Sequence, residues 1–239
     1  VWLGFSESGL SALARLAGAA SGGRLAVEQP SGRLVGPLAF ARLSWKEPGL
    51  EVEVDDLRID WSPGALFEKR LVIGELAAAR LRLDIASSDE ATPPPASLTL
   101  PVAVDIQKMA ISRLDYGQVF SAGDLRGVFA SDGKTYRLSD FGARLGLAVI
   151  AGSAELGGSA PLHLRVDASI AGKLDDQALR LAVSADGPLE RIEVQVTAEE
   201  GVSGNGRALL TPFARQAFAE ARLELADVDP AAWIDGAPA

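Results

Sequence analysis

The sequence predicts a mainly β protein: an antiparallel sheet with one helix at its N-terminal end. Three observations carry this. Leu50, Val52 and Val54 alternate with Glu51, Glu53 and Asp55. Leu162, Leu164, Val166, Ala168 and Ile170 alternate with charged or polar neighbours, and so do Ile192, Val194, Val196 and Ala198. Turn signals such as Asp132-Gly133, Gly157-Gly158 and Asp186-Gly187-Pro188 recur between such runs, the mark of a meander. Period two sorts side chains onto two faces, and an apolar face must be covered, closed on itself or given to a ligand.

The helix is expected at 8–21, with Leu10, Leu13, Leu16, Ala17 and Ala20 on one stripe. Ser8 suits its N-cap and Gly22-Gly23 its stop. A helix this short needs the sheet beneath it, so it is read as a cap on one end. First strands fill 24–85. Pro30-Ser31-Gly32 turns 24–29 into 33–45, Lys46–Gly49 turns again, and a strand pair covers 70–85 after the break at Ser62-Pro63-Gly64.

One strand carries a detail. Leu50, Val52 and Val54 are even-numbered, whereas Leu57, Ile59 and Trp61 are odd. A regular strand cannot change parity, so a bulge or bend is predicted at Asp55-Asp56. Residues 86–96, ASSDEATPPPA, read as a solvated loop. Strands resume over 97–226, with Val102, Val104 and Ile106 on one face, and 227–239 is a Pro- and Ala-rich tail. The whole of 1–239 reads as one elongated β segment.

Composition narrows the function. A net charge of −9 argues against duplex nucleic acid, which needs a basic face. With no cysteine, disulfides, thiolate zinc and cysteine nucleophiles are excluded. Aromatics are 6%, too sparse for base-stacking or carbohydrate platforms. No run of eighteen apolar residues spans a membrane as a helix. The chain starts at Val1, which points to a processed or excised form; Val1-Trp2-Leu3 is read as a fraying end.

Catalytic groups are equally scarce. The one histidine, His163, falls on a polar strand face with no partner for a triad or metal. Asp55-Asp56 is read as a bulge, Asp175-Asp176 and Glu199-Glu200 as turns, since neighbouring strand residues diverge rather than converge on a substrate. Gly201 to Gly206 leads into a strand, not a helix, so it is a hairpin rather than a phosphate loop. Trp45 and Trp61 end strands as anchors. No catalytic residue, metal or cofactor is expected. Periodicity alone favours a closed barrel or sandwich, because some twenty wet aliphatic side chains forfeit tens of kcal/mol at about 1.5–3 kcal/mol each.

The order of segments resembles the N-terminal periplasmic part of the TamB family, within the AsmA-like group. The likeness starts at Ser6-Glu7-Ser8-Gly9-Leu10 and continues through GRLAVEQPSGRLVGPLAFARLSW (23–45). It is most specific in VDDLRIDWSPGALFEKRLVIGELAAARLRL (54–83), with Leu57, Ile59, Trp61, Pro63 and Leu66 in order. SLTLPVAVDIQKMAISRLDY (97–116), GPLERIEVQVTAEEGVSGNGRALLTPF (187–213) and LELADVDPAAW (223–233) extend it.

The resemblance implies a curled, open sheet, likened to a folded taco, with a hydrophobic interior along its length. It implies a segment of a longer protein, anchored in the inner membrane of a Gram-negative bacterium and crossing the periplasm. The partners it implies are phospholipid acyl chains, the inner membrane through an N-terminal anchor, and an outer-membrane Omp85-type barrel through a C-terminal part. The activity it implies is phospholipid transfer linked to outer-membrane biogenesis, with a scaffold for outer-membrane protein assembly as the alternative. On that reading acyl chains lie against Val52, Val54, Leu57, Ile59, Leu83, Val104, Ile106, Leu164, Val166, Val183, Val194 and Val196.

Overall fold

The computed structural model describes residues 7–85, 95–174, 177–200, 203–214 and 218–226. They form one helix and one thirteen-stranded sheet whose strands lie side by side in chain order. The helix is α1 (Glu7–Ala20). The strands are β1 (Leu25–Gly32), β2 (Leu38–Glu47), β3 (Leu50–Ser62), β4 (Arg70–Ile85), β5 (Ala103–Tyr116), β6 (Phe120–Ser131) and β7 (Thr135–Leu145). They continue as β8 (Ala148–Gly157), β9 (His163–Leu174), β10 (Gln177–Pro188), β11 (Ile192–Glu200), β12 (Ser203–Leu210) and β13 (Phe218–Ala226). The sheet curls, but β1 and β13 do not meet. It is the open groove, not the barrel or sandwich that periodicity alone favours.

Several expectations move. Pro30 lies inside β1, opposite Phe40, and the turn falls at 33–37. An edge strand tolerates a proline because one side of its ladder is empty. Residues 70–85 are one strand rather than a pair, and 103–116 is another. Leu98 to Val102, expected to be extended sheet, instead run across strand ends: Leu98 N–H donates to Gly158 O (2.8 Å) and Leu100 N–H to Gly133 O (2.9 Å). Strand β10 runs on to Pro188, opposite His163, and turns only afterwards. Glu199 and Glu200 end β11 rather than form a turn. The loop at 86–94, the Asp175-Asp176 turn, Gly201 and the tail 227–239 lie outside the described residues.

The antiparallel expectation fails at one joint. Strands β4 and β5 pair in parallel, Leu71 beside Val104 and Leu83 beside Tyr116. A parallel step needs a crossover of a dozen or more residues, and the stretch from 86 to 102 supplies it.

Helix α1 packs on β1. Ser8 sits in its first turn rather than at the cap. Leu10 is buried, but Leu16, expected on the same stripe, is 65% exposed. The side chains of Leu13 and Ala17 lie outside the described residues.

The parity change expected at Asp55-Asp56 is present as a bend and not a bulge, since the register with β2 and β4 runs through it unshifted, and it belongs to something larger. Asp56 has φ of 51° and marks where the inward set changes from Leu50, Val52 and Val54 to Leu57, Ile59 and Trp61. The same change occurs at Gln29, Ala41, Ala79, Ser112 and Asp124. Each is opposite the next in register, so a straight crease crosses β1 to β6. Gln29 and Asp124 share the left-handed backbone, with φ of 46° and 51°. No residue is inserted at these points and the register is kept; aligned across six strands, the bends fold the sheet along a line.

Candidate functional site

In a strand pair, residues directly opposite share a face, so the register traces each face across the molecule. All twelve sequence-predicted groove residues fall on one face. Val52 is opposite Leu83, and Leu83 lies beside Tyr116. Leu57 and Ile59 are opposite Phe40 and Leu38, Val54 opposite Leu43. Val104 and Ile106 lie beside Leu71 and Ile73. Leu164 and Val166 are opposite Leu156 and Ala154, and Val183 and Val196 are opposite each other. Val194 faces Ala185 on one side and Ala208 on the other.

The face is not uniform. From β1 to β7 it is bulky and carries aromatics: Phe40, Trp45, Trp61, Phe129, Tyr136 and Phe141 among them. Side chains here pack on one another. Leu57, Ala78, Ile111, Ala122, Leu125 and Ala143 form a buried cluster, with Phe40, Leu76, Met109 and Phe141 against it. Four of these flank the crease directly: Leu57, Ala78, Ile111 and Leu125. Folding the sheet brings the inner side chains beside the crease together, which is why burial concentrates there.

From β8 to β13 the lining shrinks. Gly152, Ala154, Ala168, Ala185, Gly206 and Ala208 take inward places, and no aromatic side chain does among the described ones. The strands also approach closely. A Cβ on Gly152 would lie 2.3 Å from Asp167 O and 2.7 Å from Ala168 Cα. In this half Ile192 is the buried apolar strand residue, at one end of β11. Apart from Ala168, sequence reasoning missed these small lining residues, because alanine and glycine carry little hydropathy contrast.

The opposite face is charged and paired. Arg42 Nε donates to Asp55 Oδ1 at 2.8 Å and lies 3.1 Å from Glu53; Arg82 also reaches Glu53 (3.2 Å). Arg80 and Arg113 share Asp115 at 3.2 and 2.8 Å. The hydrogen bond from Arg113, above all, holds the Asp115 carboxyl below its ordinary range. Arg137 meets Glu155 at 2.8 Å. His163 Nε2 lies 3.3 Å from the Asp186 carboxylate, which also accepts from Arg165 (3.1 Å). These two contacts, His163 first, lower the Asp186 pKa. Exposed pairs of this kind contribute little to stability; their consequence is that charge stays on the outside. His163 is a surface residue.

The two long rims of the groove, where strands turn, differ. On the rim holding the start of β8, Val119 (78% exposed), Phe120, Leu145 and Leu147 (88% exposed) project into solvent with Ile85. On the other, residues 97–102 strap the ends of β5 to β9, and Tyr136 Oη donates to Leu98 O. Phe67 stands out on that second rim beside β4 at 96% exposure.

Among the described residues no cluster of His, Cys, Asp or Glu forms a metal site, and no helix is long and apolar enough to cross a membrane. The arrangement offers a long apolar surface. Among the described residues each of β2 to β12 also has a paired strand on both sides. Neither the curated proteins nor the solved structures yield a match. The creased, bulky-lined half does match a family model, "TamB, N-terminal domain", over residues 1–139. With more than half of its length matched in this way, the chain belongs to the TamB family of bacterial envelope-biogenesis proteins.

Proposed function

We propose that the inner face of the sheet carries phospholipid acyl chains across the periplasm, with head groups kept at the open slit between the two rims. The single observation behind this reading is an apolar lining on strands whose peptide groups are already paired. A polypeptide lying there would bury N–H and C=O groups without partners, at about 1–3 kcal/mol each. A polymethylene chain has no such groups and gains about 0.8 kcal/mol per buried CH₂. The sequence carries no nucleotide-binding motif, so movement is passive or driven by a partner. In the same reading the protein is no enzyme, is held at the inner membrane, and works with an Omp85-type barrel at the outer one.

One observation favours a second reading. Strand β13 has a neighbour on one side only among the described residues, and a free edge accepts a strand by β-augmentation. The groove then serves as a scaffold for a client outer-membrane protein.

Native mass spectrometry of the purified chain tests the first reading by the phospholipid it retains. The second is tested by crosslinking from β13 and from the groove: client polypeptide in place of lipid at Val183 and Val194 overturns the conduit. Val194→Arg puts a charge in the lining and is expected to abolish lipid transfer while the chain stays folded. Normal transfer by the folded variant sinks the proposal.

A further inference from the structure

Two features coincide at β7 and β8. The lining changes there from one packed around a buried cluster to one that mixes Gly152, Ala154 and Ala168 with Ile150, Val166 and Ile170 and, among the described residues, holds no such cluster. The hairpin joining these strands also ends in Leu145-Gly146-Leu147, a tip with no charged side chain, where polar turn residues are the norm. Leu145 is 40% and Leu147 88% exposed. Leu145 faces Ala148 at the inner surface, so the tip is continuous with the lining.

From this we infer that acyl chains enter the groove sideways, over the Leu145–Leu147 rim, and occupy the β8–β13 half alone. The inference rests on the acyl-chain reading and narrows it. Between β2 and β7 the space a chain would take is filled by Leu57, Ile111, Leu125 and their neighbours. Cargo cannot be threaded through that half from the β1 end without displacing this cluster. It meets a lining outside the cluster first at β8, where Gly152 and Ala154 stand opposite Ala168 and Val166. The β1–β7 half becomes a closed end against which the loaded part is built. Of the twelve predicted groove residues, Leu164, Val166, Val183, Val194 and Val196 touch cargo, whereas Leu57 belongs to the cluster with Val54 and Ile59 against it, and Val52, Leu83, Val104 and Ile106 lie in the same unloaded half.

The test uses the unaltered chain and vesicles of phosphatidylethanolamine and phosphatidylglycerol in which one acyl chain carries a diazirine. After irradiation, peptide mass spectrometry is expected to place adducts on Leu147 and on the Val166, Val183 and Val194 strands, and not on Leu57 or Ile111. Adducts spread equally over β3 to β6 overturn the inference and leave the acyl-chain reading standing. No adduct anywhere overturns both. As a second arm, Leu147→Glu is expected to slow lipid uptake about tenfold, a barrier rise of about 1.4 kcal/mol. Phe67→Glu, equally exposed on the opposite rim, is expected to leave the rate unchanged. Equal slowing by both, or none by Leu147→Glu, overturns the sideways route.

Discussion

Asp56 of β3 stands opposite Ala79 of β4, at the point where both strands exchange the parity of their inward side chains. Asp56 holds the left-handed backbone there, with φ of 51°. Aspartate tolerates that conformation; a β-branched residue does not. Asp56→Val is expected to lower stability by about 1–3 kcal/mol, and Asp56→Gly to leave it unchanged or raise it. Urea unfolding of the two variants checks this, and equal midpoints would refute a strained crease.

Gly152 is the second place where geometry dictates sequence. Its position admits no methyl, because Asp167 O and Ala168 Cα already occupy the space. Gly152→Ala is expected to cost about 1–3 kcal/mol through a forced backbone shift. Hydrogen exchange should show the opening at the β8–β9 ladder and not at β3–β4.

Asp132 gives a pH dependence. Its Oδ1 accepts from the backbone N–H of Lys134 (2.8 Å) and of Thr135 (2.7 Å). These bonds, Lys134 first, lower its pKa from the ordinary 3.8. A depressed carboxyl contributes stability that is complete above the unfolded value and lost as pH falls through the folded one. Asn at this position keeps an acceptor without a titrating proton. Asp132→Asn is therefore expected to lose less stability than the parent chain between about pH 5 and pH 2, measured as the shift in urea midpoint.

Trp61 buries its indole Nε1 without an acceptor. An unpaired buried donor costs about 1–3 kcal/mol, which offsets the packing its large ring supplies. Trp61→Phe is expected to change stability by less than about 1 kcal/mol, whereas Leu57→Ala, in the cluster at the crease, should cost about 2–5 kcal/mol. Thermal unfolding of both variants separates them.

How far the sequence speaks is seen in the crease itself. At Asp56 it is legible, because Val54 and Leu57 contrast with the charges around them. At Ala79 it is not: Ala77, Ala78 and Ala79 form a run with no contrast to carry a parity. Ser112 and Asp124 sit among mixed neighbours, and their alignment with Asp56 depends on pairings between strands distant in the chain. The groove residues were readable in the same selective way. Valines and leucines announced themselves; Gly152, Ala185 and Gly206, which set the width of the lining, did not. Periodicity fixed which side each residue faces but not whether the sheet closes, since closure depends on where β1 and β13 end up relative to each other.

The parallel joint between β4 and β5 has a consequence for how the chain acquires its shape. Every other neighbouring pair among the thirteen strands is antiparallel and adjacent in the chain, so each can zip from its own turn, with contacts that close over short stretches. Strands β4 and β5 meet only after the segment between Ile85 and Ala103 has looped back along their full length, and such closure carries an entropic cost that rises with the length of the loop. Folding should therefore proceed as two zippers, one on each side of this seam, whose joining is the slow, non-local event. Until it happens, the inner edges of both β4 and β5 stand unpaired. A chain emerging N-terminal end first would expose the β4 edge throughout that interval, an unpaired strand edge of the kind that pairs with other chains.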